Sequence, residues 1–238
     1  MSAKLESVFE CVNQHVVQLS YRWKIFCQLF DSGSENISLL NASGGNVFNL
    51  FQCLILDNAI LALSRFTDPA SSGKNRNNAN IRHLFKLSEG SLNSDVIVEI
   101  NAALERLDAH MQSLRAYRNK ALAHADLQHS LQEAVPSRIT YDELEGAMEE
   151  CRNIMRKLRE NLFKRTPRYD VIIPYGRSGS DLLKHLWKAH AKTITKMNNP
   201  FIESAHNAGQ PRVLCYGRKT HHSCQTLNDL YRKFRQSI

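Results

Sequence analysis

Several kinds of segment are missing from this 238-residue chain. No stretch approaches the roughly 18 uncharged apolar residues that would span a bilayer. The longest apolar run, from about Phe51 to Leu63, is interrupted by Gln52, Asp57 and Asn58. The opening residues, Met1 to Ser7, show no basic region followed by an apolar run, so no secretory leader is expected. No internal repeat or low-complexity tract is visible. These absences point to a soluble, cytoplasmic protein without membrane association.

Familiar chemical signatures are missing too. There is no phosphate-cradling glycine-rich loop, no nucleotidyltransferase signature and no nucleophile elbow. Cys215, His221, His222 and Cys224 are metal-capable types within ten positions. Their Cys-x5-His-His-x-Cys spacing matches no standard zinc pattern, and adjacent histidines cannot easily share one ion. No metal and no cofactor are expected. The six cysteines (11, 27, 53, 151, 215 and 224) are widely spaced, which suits reduced thiols better than a disulfide framework.

What is present starts with a core: 42% of residues are hydrophobic, enough for one good-sized domain. The net charge of +8 is unevenly spread. From Lys164 onward, 14 Lys+Arg face 4 Asp+Glu, while the first 163 residues hold the other 17 and 19. The basic character therefore belongs to the C-terminal part, and such a segment attracts polyanions, nucleic acid foremost. Lys184, Lys188, Lys192 and Lys196 recur every four residues, a basic stripe on one helical face. Trp187 and Tyr216 could stack on bases or simply pack.

Apolar periodicity predicts four long helices. The first carries Val8, Val12, Val16, Leu19, Trp23, Phe26 and Phe30, and should stop near Gly33. A polar loop is expected next, with a break at Gly44-Gly45. The second helix, about Asn46 to Phe66, is apolar on most sides, with Asp57, Asn58 and Arg65 as exceptions. A loop from Asp68 leads to a short helix over Ile81 to Leu87. The third long helix carries Ile97, Ile100, Leu104, Leu107, Met111 and Leu114. The fourth opens on a Thr140/Glu143 capping box and carries Leu144, Ala147, Cys151, Ile154, Leu158 and Leu162. Beyond Pro167, Val171 to Ile173 suggests a short extended piece. Ser178 with Asp181 should cap a helix through Trp187, and a last short helix is expected over about Gln225 to Arg235. The fold class is all-α: an antiparallel four- to five-helix bundle over residues 1–165, with a basic, mostly helical extension over 166–238.

One step of four beyond Leu114 lands on Arg118, so the third apolar stripe runs into a guanidinium. A buried arginine is costly unless it is paired or opens onto a groove. Asp57, Asp108, Asp126 or another carboxylate of the bundle could be its partner. Arg118, Asn119 and His124 fall within seven positions. Histidine is the side chain suited to proton transfer near neutral pH. Arginine supplies a planar fork of donors to a crowded phosphorus. Lys120 beside them, with Lys184, Lys188 and Lys192, are candidate RNA contacts. On an unbroken helix Arg118 and His124 would sit about 120° apart. A frayed last turn or a partner subunit could bring them together.

Arg118-Asn119, four residues, then His124 resembles the signature of HEPN domains, which falls near the end of a long helix in a helical bundle. The run from Leu56-Asp57 to Arg65-Phe66-Thr67-Asp68-Pro69 resembles the second helix of the AbiU-like abortive-infection branch. The resemblance covers roughly residues 5–165. It implies a homodimer with two motifs facing a shared cleft, and metal-independent RNA cleavage leaving a 2′,3′-cyclic phosphate and a 5′-hydroxyl. On that template Arg118 stabilises the phosphorane, His124 moves the proton, and Asn119 holds the phosphate or the histidine. It also implies a toxin or phage-defence effector, with an antitoxin or other protein partner open. Two alternatives stand beside it. One is a catalytically inactive module that binds RNA, nucleotide or a protein. The other is a scaffold in which Arg118 is a paired core charge.

Overall fold

The computed structural model describes residues 3–71, 77–119, 139–165, 169 and 172–197. Among these residues there are six α-helices and no strand: α1 (Ala3–Phe30), α2 (Ser34–Thr67), α3 (Ile81–Ser88), α4 (Ser94–Tyr117), α5 (Tyr141–Phe163) and α6 (Gly179–Met197). One 3₁₀ turn, Glu89–Ser91, follows α3. The structure is all-α, as the periodicity indicates.

The chain forms two compact units. The first holds residues up to Lys24 and Cys53–Ile173. Its helices run antiparallel, as their cross-links show. Along α1 and α5, the Phe9 ring meets Phe163 at a tilt, Ser20 accepts from Arg152, and Trp23 donates to Glu145. Along α4 and α5, Glu99 pairs with Lys157, Arg106 with Glu150, and Ser113 with Glu143. Along α1 and α2, His15 stacks near Phe66 and Arg22 donates to Asn58. In each pair one residue number rises as the other falls.

Stripes at helical spacing fill the space between. Ile100, Leu104, Leu107, Met111 and Leu114 of α4 are buried, as are Leu144, Ala147, Cys151, Ile154 and Leu158 of α5. On α1 the buried face begins with Leu5 and Phe9 instead of Val8. Thr140 and Glu143 form the expected capping box on α5. Lys164 ends that helix in a left-handed conformation. A methyl at Gly146 would press into the His110 ring, so this glycine allows α4 and α5 to approach closely.

The second unit comprises Ile25–Gln52 and the chain from Pro174, described to residue 197. Phe26, Leu29, Phe30, Leu39, Leu40 and Leu183 are buried. Ser178 accepts from the Asp181 amide and donates to its carboxylate, the expected cap of α6. Gln28 accepts from the Gly179 amide, and Asn36 accepts from the Trp187 indole.

One expectation is corrected. Residues 34–43 are helical rather than a loop, because Leu39 and Leu40 bury together and Ser38 bonds back to the Ser34 carbonyl. The break at Gly44 is real, but as a kink within α2 (φ 152°), a conformation that favours glycine. Ile172 and Ile173 lie in no regular element, and Ile172 is exposed. Val171 and the helix expected near Gln225 lie outside the described residues. By length and composition alone, α2 could cross a membrane. Its last turns bury Ala59, Ile60, Leu63 and Phe66 in the first unit.

Candidate active site

The site is built where α2 ends and α4 ends. Helix α2 stops at Thr67, and Pro69 cannot continue its hydrogen-bond ladder. Two asparagines hold the turn that follows. Fully buried Asn80 donates to the Asp68 and Pro69 carbonyls while capping α3 by accepting from the His83 amide. Asn78 donates to the Pro69 carbonyl. Asp68 is thereby held beside the last carbonyls of α2.

Arg118 reaches this turn from α4. The α-helix gives way at Arg118 and Asn119 to a π-type turn, a local form that is rare and gathers at functional sites. The Arg118 amide is satisfied by the Leu114 and Arg115 carbonyls. Its side chain donates through Nη1 to Asp68 Oδ1 at 3.2 Å and through Nε to Asn119 Oδ1 at 3.0 Å. The side chain is 26% exposed, so it is paired and also open. The carboxylate that pairs with Arg118 is Asp68, rather than the three named from the sequence. Asp108 is two turns before Arg115 and is taken by other arginines.

Those arginines are Arg82 of α3 and Arg115 of α4. Asp108 accepts from both, at 2.8 Å from Arg115, and the Thr67 carbonyl accepts from both at 3.2 Å. Burial would raise the Asp108 carboxyl, but the hydrogen bonds and charge of Arg82 and Arg115 outweigh it and hold it below the usual range. Burial raises the Tyr117 phenol, helped by the charges of Asp57 and Cys53. Burial also raises Asp57. Arg65 is exposed.

Of the residues singled out by sequence, Arg118 and Asn119 are brought together here. His124 and Lys120 lie outside the described residues, as do Cys215, His221, His222, Cys224 and Tyr216. Lys184, Lys188 and Lys192 are exposed on α6, in the other unit. Lys184 is engaged by Asp181 at 3.4 Å. Among the described residues no three His, Cys, Asp or Glu side chains are grouped to hold a metal ion. The described cysteines are free thiols, and burial pushes Cys151 up to about 12.

Sequence reasoning missed Asp68, Asn80, Arg82 and Arg115 as parts of the site. Asp68 lay in the Arg-Phe-Thr-Asp-Pro run and Arg115 one turn before Arg118, so a signal was present for both. Nothing local marked Asn80 or Arg82.

The arrangement offers guanidinium donors on the first unit that could meet a phosphate. The AbiU2 family of HEPN domains matches residues 2–193. That span runs past residue 165, where the resemblance was read to stop, and takes in most of α6. No curated protein and no solved structure matches the chain. With more than half its length matched, the chain belongs to the AbiU2 family, a group of HEPN domains related to abortive infection.

Proposed function

We propose that this HEPN domain is a metal-independent endoribonuclease and acts as a toxin or phage-defence effector. The observation that carries the reading is the partly open Arg118 guanidinium, pre-positioned by Asp68 and Asn119 on the turn that ends α4. Donors fixed before the reaction stabilise developing charge without reorganising. In the reaction the RNA 2′-oxygen attacks phosphorus, and the bond to the 5′-oxygen breaks. The 2′-hydroxyl proton passes to a base, and the 5′-oxygen receives a proton as it leaves. His124 is assigned the proton transfers and Arg118 the phosphorane. Asn119 orients Arg118. Lys120, Lys184, Lys188 and Lys192 are assigned to the RNA backbone.

The active form is proposed to be a homodimer. Val47, Leu50 and Phe51 of α2 share one helical face and stand 54%, 55% and 46% exposed. Residues 36–56 contain no charged side chain, so two copies of this face can meet without repulsion. An antitoxin or other protein partner remains compatible with the same surface.

The test is substitution in the motif. Arg118→Ala and His124→Ala should each abolish RNA cleavage while circular dichroism shows an intact helical fold. Full activity in both variants overturns the assignment. The second reading is a catalytically inactive module that binds RNA, nucleotide or a protein, and the basic C-terminal part favours it. Removal of residues 167–238 would then abolish binding that Arg118→Ala leaves intact.

A further inference from the structure

We propose that Arg115, held in place by Asp108 and the Thr67 carbonyl, forms a second phosphate-binding position next to Arg118. It would take the neighbouring phosphate of a single-stranded RNA. This rests on the RNA-cleaving reading of the Arg118 site.

The first ground is charge. Three arginines (Arg82, Arg115 and Arg118) share two carboxylates, those of Asp108 and Asp68. A staple that served only to join helices would need one arginine on Asp108. Two guanidiniums on a single carboxylate leave a surplus of positive charge at this spot. The Thr67 carbonyl, at the negative end of α2, steadies both of them without cancelling a full charge.

The second ground is donor geometry. Among the described residues, both Arg115 bonds run through Nη2, one to Thr67 and one to Asp108. A guanidinium carries its donors in a rigid fork, and none of the described residues takes a hydrogen bond from Nε or Nη1. The side chain is 31% exposed, close to Arg118 at 26%. Both residues lie at the rim.

The third ground is spacing. Arg115 and Arg118 are three residues apart at the end of α4, neighbours on one face with β-carbons about 5–6 Å apart. Two adjacent donors on a rigid helix end suit two successive backbone phosphates. Asp108 is a positioning residue here: it fixes the rotamer of Arg115 and does not touch RNA.

A phosphate contact reveals itself in salt dependence, because each neutralised phosphate releases counterions. Affinity of the full-length protein for a 2′-O-methylated RNA oligonucleotide, which cannot be cleaved through the 2′-oxygen, would be measured across a series of salt concentrations. Arg115→Gln should flatten the plot of log affinity against log salt by about 0.7, the value of one single-strand phosphate contact. Arg115→Lys, which keeps the charge and a partner for Asp108, should retain the wild-type slope and bind several-fold more weakly. Arg106→Gln, an α4 arginine paired with Glu150, should leave the slope unchanged.

A wild-type slope in Arg115→Gln overturns the proposal, and the nuclease reading then survives if Arg118→Ala still abolishes cleavage. A flattened slope in a wild-type background that cleaves no RNA keeps the second position and removes the nuclease. Absence of salt-dependent RNA binding by the wild type overturns both.

Discussion

Asp68 accepts a hydrogen bond from Arg118 Nη1 at 3.2 Å across 50 residues of sequence, joining the end of α2 to the end of α4. The pair connects the Arg-Phe-Thr-Asp-Pro run to the Arg118-Asn119 motif. The side chains are 26% and 37% exposed. Solvent screening then limits the pair to about 1 kcal/mol or less. Arg118→Ala should therefore lower the melting temperature by no more than about 2–4 °C while abolishing cleavage. A fall of about 10 °C or more would make Arg118 a structural charge instead. Thermal melts of wild type and variant decide this.

Asn80 carries more of the stability than Arg118. It is fully buried, caps α3, and satisfies two carbonyls of the turn that presents Asp68. Asn80→Ala removes a cap and strands buried backbone groups, at a cost of about 2 kcal/mol or more. The melting temperature should drop by about 4–8 °C. Cleavage should weaken in the same variant, because Asp68 is no longer held against Arg118. An unchanged melt would show that the turn is fixed by something else.

The start of α6 should be acid-sensitive in a defined window. The Ser178 hydroxyl, despite opposing desolvation, and the Ser178 and Gly176 amides hold the Asp181 carboxyl at about 2, below its ordinary 3.8. A depressed carboxylate stabilises the fold above its unfolded value and loses that contribution as pH falls through the folded one. The difference between wild type and Asp181→Asn should thus be constant above about pH 5, shrink as pH falls and vanish by about pH 1. Hydrogen exchange of the first α6 amides reads it. A difference that grows on acidification would reverse the sign.

Leu50→Asp places a charge in the middle of the exposed face of α2. Burying an unpaired charge between two copies is costly, so the dimer should dissociate by tenfold or more. Sedimentation in detergent-free buffer would show a dimer for wild type and a monomer for the variant. Two species of the same size would move the dimer contact elsewhere.

Much of the fold was legible because its signals are local. The α5 capping box lies within four residues, and the α4 stripe repeats every three or four. Arg118 stood out by interrupting that stripe. Its partner did not, because the register between α2 and α4 depends on how two distant helix ends meet. Asp108, one of the carboxylates within reach on paper, is occupied by Arg82 and Arg115. Nothing local distinguishes Arg82 within its short helix, and Asn80 ends a stretch with an ordinary loop composition. Residues 34–43 were read as loop because their polar composition hid one buried pair, Leu39 and Leu40.

The most direct measurement is incubation of the purified full-length protein with total RNA and a tRNA pool in EDTA, beside His124→Ala, followed by analysis of the product ends. Cleavage by wild type alone, leaving 2′,3′-cyclic phosphate and 5′-hydroxyl ends, is the predicted result. Cleavage that EDTA suppresses, equal cleavage by His124→Ala, or no cleavage by a folded dimer would each contradict a metal-independent ribonuclease built on Arg118 and His124.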